Sequence, residues 1–450
     1  MRSTQVKVLA SVAIIVIGLM LTVAMLSSAS SPTYNSGILI DFGDRQVTYS
    51  PVDSEEQSDP LSALEYACSA NDFQLTYSEE GISINGVPDS HSRSWSLYGV
   101  QPGSTEWTLL DSDPASYSLS DFTIVCWGYC GDDEVPTKAV DSTGYCFYGL
   151  DTPERVVSLA PSCTETICAV GGLDVLVGTD QYSNFPQEVV DRQEDGSISI
   201  VGGFTNPSYE MVLLQDPDLV VCIGNQSMHL RIAEKLRDFG VDVLVLDGGE
   251  SIDAVLDNIY MTSVALGNAS KGVEVIEETQ RQIDEVTGIL QSVHLEGKRV
   301  MVALSAVQSP WVSGADTYVH DTLVLIGAEN IYGSESGWVQ VNAETVAQYN
   351  PEVIIVVSSD YEATQAGYDS MMASMSAEWR LTDAYKSGDV YLLSGDATDL
   401  ASRAGPRVAQ ITEILARIVY PEAFTDGVQV PKYMGDDFTD YLIISRGEAN

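Results

Sequence analysis

The residues able to do chemistry are few and scattered. Four histidines occur in 450 residues, His91, His229, His294 and His320, and no two stand at metal-ligand spacing. No phosphate-cradling glycine loop, nucleophile elbow, zinc-protease helix motif or dinucleotide fingerprint is present. Carboxylates are too numerous, 65 against 21 basic side chains, for a catalytic acid pair to show against the background. What stands out is a set of aromatic residues at or beyond strand-like segments: Tyr182 after VLVGT, Phe204 in VGGFTNP, Trp311 in SPWVSG and Trp338 in SGWVQ. Aromatic residues near the carboxyl ends of strands or in loops are candidate ligand contacts, because α/β folds present ligands there. This is the chemistry of binding, so no catalytic residue and no metal site is assigned, and the chain is read as no enzyme.

The charge balance narrows the partners. A formal charge of −44 leaves no basic footprint for nucleic acid and none for adsorption to anionic lipid. With only seven lysines, the surface fits a high-salt or acidic milieu as well as it fits a generic acidic protein. Val8–Leu26 is an almost unbroken apolar run behind Arg2 and Lys7. Its length favours a transmembrane anchor over a cleaved signal peptide, and either exports the chain. No second such run follows, which excludes a channel. Export gives the seven cysteines meaning. Two disulfides are expected among Cys68, Cys126, Cys130 and Cys146, in preference to a metal pair at Cys126 and Cys130. Asn225 and Asn268 each open an Asn-x-Ser sequon, and Asn268 also suits a helix cap.

The elements that must position these residues follow from periodicity. Residues 1–29 are the signal or anchor, and 30–150 form a small strand-rich α+β domain with a helix over Leu61–Ala70. In that domain Trp95, Tyr98 and Trp107 are read as core, with ligand contact the less favoured alternative. From 151 the texture changes to Val-rich runs alternating with helices, which predicts parallel sheets flanked by helices. An N-terminal α/β lobe spans 151–270 and a C-terminal one 297–424. One regular amphipathic helix, 271–296, joins the lobes as a rigid backbone that limits opening. The tail, 425–450, holds one strand-like piece at Tyr441–Ser445.

Four ordered stretches carry a resemblance: RVVSLAPSCTETICAVGGLDVLVGTDQYSNFP, then VGGFTNPSYEMVLLQDPDLVV and SGWVQVNAETVAQYNPEVIIV, and last DLASRAGPRVAQ. From Arg155 to about Ala423 the chain resembles the ABC-importer solute-binding proteins whose two lobes share a rigid backbone helix, and which take siderophores, haem or vitamin B12. The similarity is greatest to the vitamin B12-binding members. It implies ligand contacts at Tyr182, Phe204, Trp311, Trp338, Asp399 and Arg403, with Phe204 standing where those members carry Trp. It implies docking to the importer's permease through Glu210 and Glu344, one on each lobe. GISINGV, SWSLYGV and a late VCWGY are similar to the C-terminal domain of cobalamin carriers such as transcobalamin. The implied function is an extracellular receptor, on the outer side of the cell membrane, that captures a corrinoid (cobalamin as transported ligand, with no catalytic cofactor) and delivers it to an ABC importer. A ferric siderophore or haem is the alternative ligand; a chelatase-like enzyme or a structural envelope protein fits less well. His229 and His320 are the histidines to test for an axial contact to cobalt.

Overall fold

The computed structural model describes residues 37–53, 56–78 and 81–446. The run Val8–Leu26 lies outside them. Among the described residues no helix is long and apolar enough to cross a membrane, which corrects the expectation of a transmembrane helix as far as those residues extend. The chain forms two compact units. One takes the residues up to Ala160 with Val175–Tyr182 and Arg192–Leu246; the other takes Pro161–Asp174, Ser183–Asp191 and everything from Asp247 on.

The first unit opens with β1 (Gly37–Asp41) and β2 (Val47–Pro51), a hairpin turned by Gly43, Asp44 and Arg45 at positive φ. Helix α1 (Pro60–Ala70) starts at Asp59, whose carboxylate accepts the N–H groups of Leu61 and Ser62 at 3.0 Å each. Strands β3 (Leu75–Ser78), β4 (Gly81–Ile84) and β5 (Val87–Pro88) make a small antiparallel sheet. β6 (Ser94–Val100), β7 (Thr108–Leu109) and β8 (Ile124–Cys130) complete a mixed five-stranded sheet ordered β2-β1-β8-β6-β7. Ile38, Ile40, Leu64, Trp95, Leu97 and Trp127 fill the core between this sheet and α1.

The expected disulfides are absent: none of the seven cysteines is bridged to another. Cys126 and Cys130 share strand β8 four residues apart, roughly 13 Å along an extended chain and too far for a bridge. Both point into packed protein, as Cys68 does from α1. Burial pushes the thiols of Cys68, Cys130 and Cys146 up to about 11, which keeps them neutral and unreactive. Here cysteine serves as a small apolar side chain.

The α/β texture begins with β9 (Val156–Ser158), α2 (Pro161–Ala169), β10 (Leu176–Thr179), α3 (Gln187–Glu194) and β11 (Ser199–Ile200). The hairpin β12 (Gly202–Gly203) and β13 (Asn206–Pro207) follows, then α4 (Tyr209–Leu214), β14 (Leu219–Ile223), α5 (Ser227–Asp238) and β15 (Asp242–Leu246). Five strands pair in parallel in the order β11-β10-β9-β14-β15, with α5 packed on β14 and β15. The central Val-rich strands are buried along their length, as a parallel sheet requires.

The second unit continues with α6 (Ile252–Ala265) and the long helix α7 (Ala269–Gln291). Asn268 precedes α7 without capping it through its side chain; its Nδ2 donates to the Val170 carbonyl at 2.8 Å. α7 packs on α6 so closely that a Cβ at Gly272 would strike the Ser263 side chain. Next come β16 (Arg299–Ala303), β17 (Trp311–Ser313), α8 (Tyr318–Leu325), β18 (Glu329–Asn330), β19 (Trp338–Gln340), α9 (Ala343–Tyr349) and β20 (Val353–Val357). After α10 (Gln365–Ser374), α11 (Asp383–Ser387), β21 (Val390–Leu393), α12 (Ala397–Ser402) and α13 (Val408–Val419), the tail contributes β22 (Tyr433–Met434). β16, β20, β21 and β22 are parallel, but β17 and β19 join antiparallel, so this sheet is mixed. The strand expected at Tyr441–Ser445 does not form. The N–H groups of Ile443, Ile444 and Ser445 instead converge on the carboxylate of Glu413, fully buried on α13 and paired with Arg417 at 2.8 Å.

Seven unbridged thiols give a direct expectation. Unfolded in denaturant without reductant and treated with an alkylating reagent, the chain gains seven adducts by mass spectrometry, and prior reduction leaves that number unchanged.

Candidate functional site

In the first unit the candidate side chains follow strands of the parallel sheet. Tyr182 comes just after β10, more than half exposed, and its N–H donates to Oδ1 of buried Asp180 at 2.7 Å. Phe204 sits at the tip of the β12–β13 hairpin, which needs glycine at its base: Gly202 has φ +128°, and a Cβ there would lie 2.8 Å from the Ser208 nitrogen. The hairpin rests on His229. Its Nε2 donates to the Phe204 carbonyl at 2.8 Å, its Nδ1 faces the Ile223 N–H at 3.4 Å, and its ring meets the Phe204 ring edge-on at 5.5 Å. His229 is wholly buried, and burial pulls its pKa below the ordinary range. Both nitrogens are engaged inside the protein, so His229 supports the hairpin that carries Phe204 and offers nothing to a metal.

In the second unit the two tryptophans lie on strands, where sequence reasoning put them near strand ends or in loops. Trp311 pairs with Gln340, and Ser313 with Trp338, across the β17–β19 ribbon. Cross-strand partners share a face and so do residues two apart, which places Trp311 and Trp338 diagonally on one face. Trp311 is about half exposed, at 49%, and Trp338 partly buried. Half-buried His320, on α8, has Nδ1 3.2 Å from Nδ2 of Asn330.

Asp399 and Arg403 belong to a larger ionic cluster. Arg403 Nη2 lies 2.9 Å from Asp399 Oδ2, while its Nη1 donates to Glu165 Oε1 at 2.8 Å and to Asn184 Oδ1 at 2.6 Å. Arg407 grips the same Glu165 with Nε and Nη2, at 2.8 and 2.6 Å, and lies over the Phe185 ring at 4.5 Å. The side chains of Glu165, Arg403 and Asp399 are 3%, 10% and 13% exposed. Burial raises the Asp399 pKa, against the pull of Arg403 and Arg407. Two guanidiniums and two carboxylates balance, which is what makes their burial tolerable. Sequence reasoning found the i,i+4 pair; Glu165 and Asn184, 238 and 219 residues from Arg403, gave no local signal.

Glu210 and Glu344 occupy equivalent places. Each is exposed, two residues past a side-chain N-cap, Ser208 for α4 and Asn342 for α9. The equivalence extends further. Phe204, Glu210 and Asp216-Pro217 repeat as Trp338, Glu344 and Asn350-Pro351 with the same spacing of six and six. Asp216 and Asn350 both have φ +49°. An arginine at the head of each lobe's first strand donates to that turn: Arg155 Nε to the Gln215 carbonyl at 2.8 Å, and Arg299 Nε to the Asn350 carbonyl at 3.1 Å. This internal repeat was legible in the sequence through its spacing alone. Beside Glu210 lies an open depression of about 550 Å³ lined by Ser208, Tyr209, Met228, Arg231 and Lys235 among others.

The family model for periplasmic binding proteins matches residues 156–397, more than half of the chain. The chain belongs to the periplasmic binding protein family. Similar proteins include an uncharacterized ABC transporter substrate-binding lipoprotein of Bacillus subtilis, 27% identical over 276 residues, or 61% of this chain and 82% of that one. A cobalamin-binding protein of Halobacterium salinarum is 24% identical over 262 residues (57% and 67%), and a vitamin B12-binding protein of Vibrio parahaemolyticus 27% identical over 205 (45% and 70%). Among solved structures, a periplasmic heme binding protein of Pseudomonas aeruginosa shares the fold with TM-score 0.51 at 23% identity, covering 60% of this chain and 94% of that one. A possible iron-binding periplasmic solute-binding protein of Staphylococcus epidermidis does so with TM-score 0.50 at 24% identity (60% and 100%). As a periplasmic binding protein the chain is a transport receptor and not an enzyme: an extracellular solute-binding protein for a small ligand, working with an ABC importer.

Two measurements test the supports of the site. Replacing Glu165 by Ala leaves Arg407 buried without its bidentate partner and lowers unfolding stability by about 3–5 kcal/mol in urea titration. His229 has a folded pKa below its unfolded value of about 6.5, so its neutral form contributes stability that is complete above that pH and lost as pH falls through the folded pKa. In an NMR titration one histidine resonance therefore moves at lower pH than usual, and His229→Gln removes that resonance.

Proposed function

We propose that this receptor captures a corrinoid of the cobalamin type and hands it to an ABC importer. Tyr182, Phe204, Trp311 and Trp338 contact the ligand, Asp399 and Arg403 shape and orient the polar part of its surroundings, and Glu210 and Glu344 dock to the permease. The observation that carries the reading is the pair of tryptophans on one face of the β17–β19 ribbon, a flat apolar wall matched to a corrin disc. The relatives whose names specify cobalamin or vitamin B12 support it, as does the similarity of the first domain to cobalamin carriers. The ionic cluster favours a corrinoid over haem. A corrin is edged by neutral amides, whereas haem carboxylates call for cations, and Arg403 is already committed to Glu165 and Asp399.

Isothermal titration of the receptor with cyanocobalamin, a ferric hydroxamate and hemin separates the ligands. The expected result is sub-micromolar binding of cyanocobalamin, about 1.4 kcal/mol or more of which is lost in Trp338→Ala and in Phe204→Ala. Tight binding of hemin or the hydroxamate with no cyanocobalamin isotherm overturns the corrinoid and keeps the receptor. Reversing charge at Glu210 and Glu344 together is expected to abolish ligand-dependent importer activity in vesicles while leaving the isotherm unchanged.

A further inference from the structure

The segment linking the first domain to the parallel sheet is fixed along the edge of β15. Ser142 donates its N–H to the Val245 carbonyl at 3.0 Å, and its Oγ donates to the same oxygen at 2.8 Å. Asp141, almost wholly buried, accepts the Val245 N–H at 2.9 Å and Arg237 Nη2 at 2.8 Å on one oxygen, and the N–H groups of Thr143 and Tyr145 on the other. Tyr145 donates its hydroxyl to Asp242 at 2.9 Å. Residues 141–145 form a tight turn, closed by the Asp141 N–H donating to the Tyr145 carbonyl at 2.8 Å and the Gly144 N–H to the Asp141 carbonyl at 3.0 Å, and the turn sits against the edge of β15 with Ser142 toward its carboxyl end.

That end is where a parallel sheet presents ligands, and two contacts tie it to the candidate site. A Cβ on Gly224 would stand 2.9 Å from Ser142 Oγ, and Gly224 follows Ile223, whose N–H faces the His229 that holds the Phe204 carbonyl. On the domain side, the loop 101–107 folds onto the same segment. A Cβ on Gly144 would lie 2.7 Å from the Ser104 carbonyl, and Trp107 Nε1 donates to the Thr137 carbonyl at 3.2 Å. Thr137 is in turn held by Asp41 of β1, its N–H donating to Oδ2 at 2.6 Å. From Thr137 to Ser142 the chain can span roughly 17 Å at most. The loop is tied to the turn against β15, whose anchoring includes the Arg237–Asp141 ion pair, in which the Asp141 side chain is fully buried.

We propose that the loop Gln101–Trp107 of the first domain forms part of the ligand site and touches the bound solute beside Phe204. The inference rests on the proposed ligand reading and adds to it a contact surface outside the residues matched by the family model. Its exposed members, Gln101 and Glu106, with half-buried Ser104 and Thr105, present amide, carboxylate and hydroxyl groups suited to the amide rim of a corrin.

Hydrogen–deuterium exchange of the full chain, with and without saturating cyanocobalamin, tests it. Slowed exchange in both 101–107 and 202–207 is the expected result. Slowing in 202–207 with 101–107 unchanged overturns the proposal and leaves the corrinoid reading standing. No slowing anywhere, with cyanocobalamin or hemin, removes the ligand reading and this proposal with it. As a second measurement, Thr105→Arg and Glu106→Arg, both on an open loop away from the core, are expected to raise the cyanocobalamin Kd about tenfold; an unchanged Kd for both overturns the proposal.

Discussion

Glu165 binds two arginines in a place almost closed to water, and the second unit is arranged around that fact. A carboxylate taken out of water needs its charge matched and its lone pairs filled. Arg407 supplies the fork, Arg403 a second cation, and Asp399 the charge that balances it. Meeting those demands pins three remote stretches together: α2, the segment around Asn184 and Phe185, and the α12–α13 corner. Asp399 and Arg403 are thereby held in one geometry, as the orienting role proposed for them requires.

The same economy of parts appears in the repeated turn of the two lobes. An aromatic residue, a glutamate six residues on and an Asx-Pro turn six further recur in both. Each feature has its own cause. The left-handed Asx residue ends the short helix, the proline follows it, and the buried strand begins two residues later. Arg155 and Arg299 close the turn from the neighbouring strand. With the roles proposed above, the fixed spacing between an aromatic and an exposed carboxylate would build the ligand surface and the docking surface of each lobe from one piece.

The first domain makes a different use of burial. Its cysteines line the interior as neutral thiols and contribute no bridges, so its stability rests on packing around Trp95, Leu97 and Trp127 and on the capped helix α1. Asp141 and Arg237 make its attachment to β15 rigid, and they also cover a strand edge that would otherwise be open to pairing with another chain.

Much of the architecture was legible in local patterns. The Val-rich runs became β9, β10, β14, β15, β16, β20 and β21 within a residue or two, and the amphipathic stretch became α7, because a buried strand or an amphipathic helix writes its period directly into neighbouring residues. The candidate aromatics stood out by their places at predicted strand ends and loops, and Asp399 and Arg403 by the resemblance of DLASRAGPRVAQ to the family. Pairing across the chain was not. Whether Cys126 meets another sulfur, whether Trp311 and Trp338 share a face, which carboxylate meets Arg407, and that Ile443–Ser445 closes on Glu413 in place of forming a strand depend on partners tens to hundreds of residues away. Local sequence sets which face a side chain prefers; only the closed tertiary structure decides what waits there, because desolvation and charge matching are settled by neighbours in space.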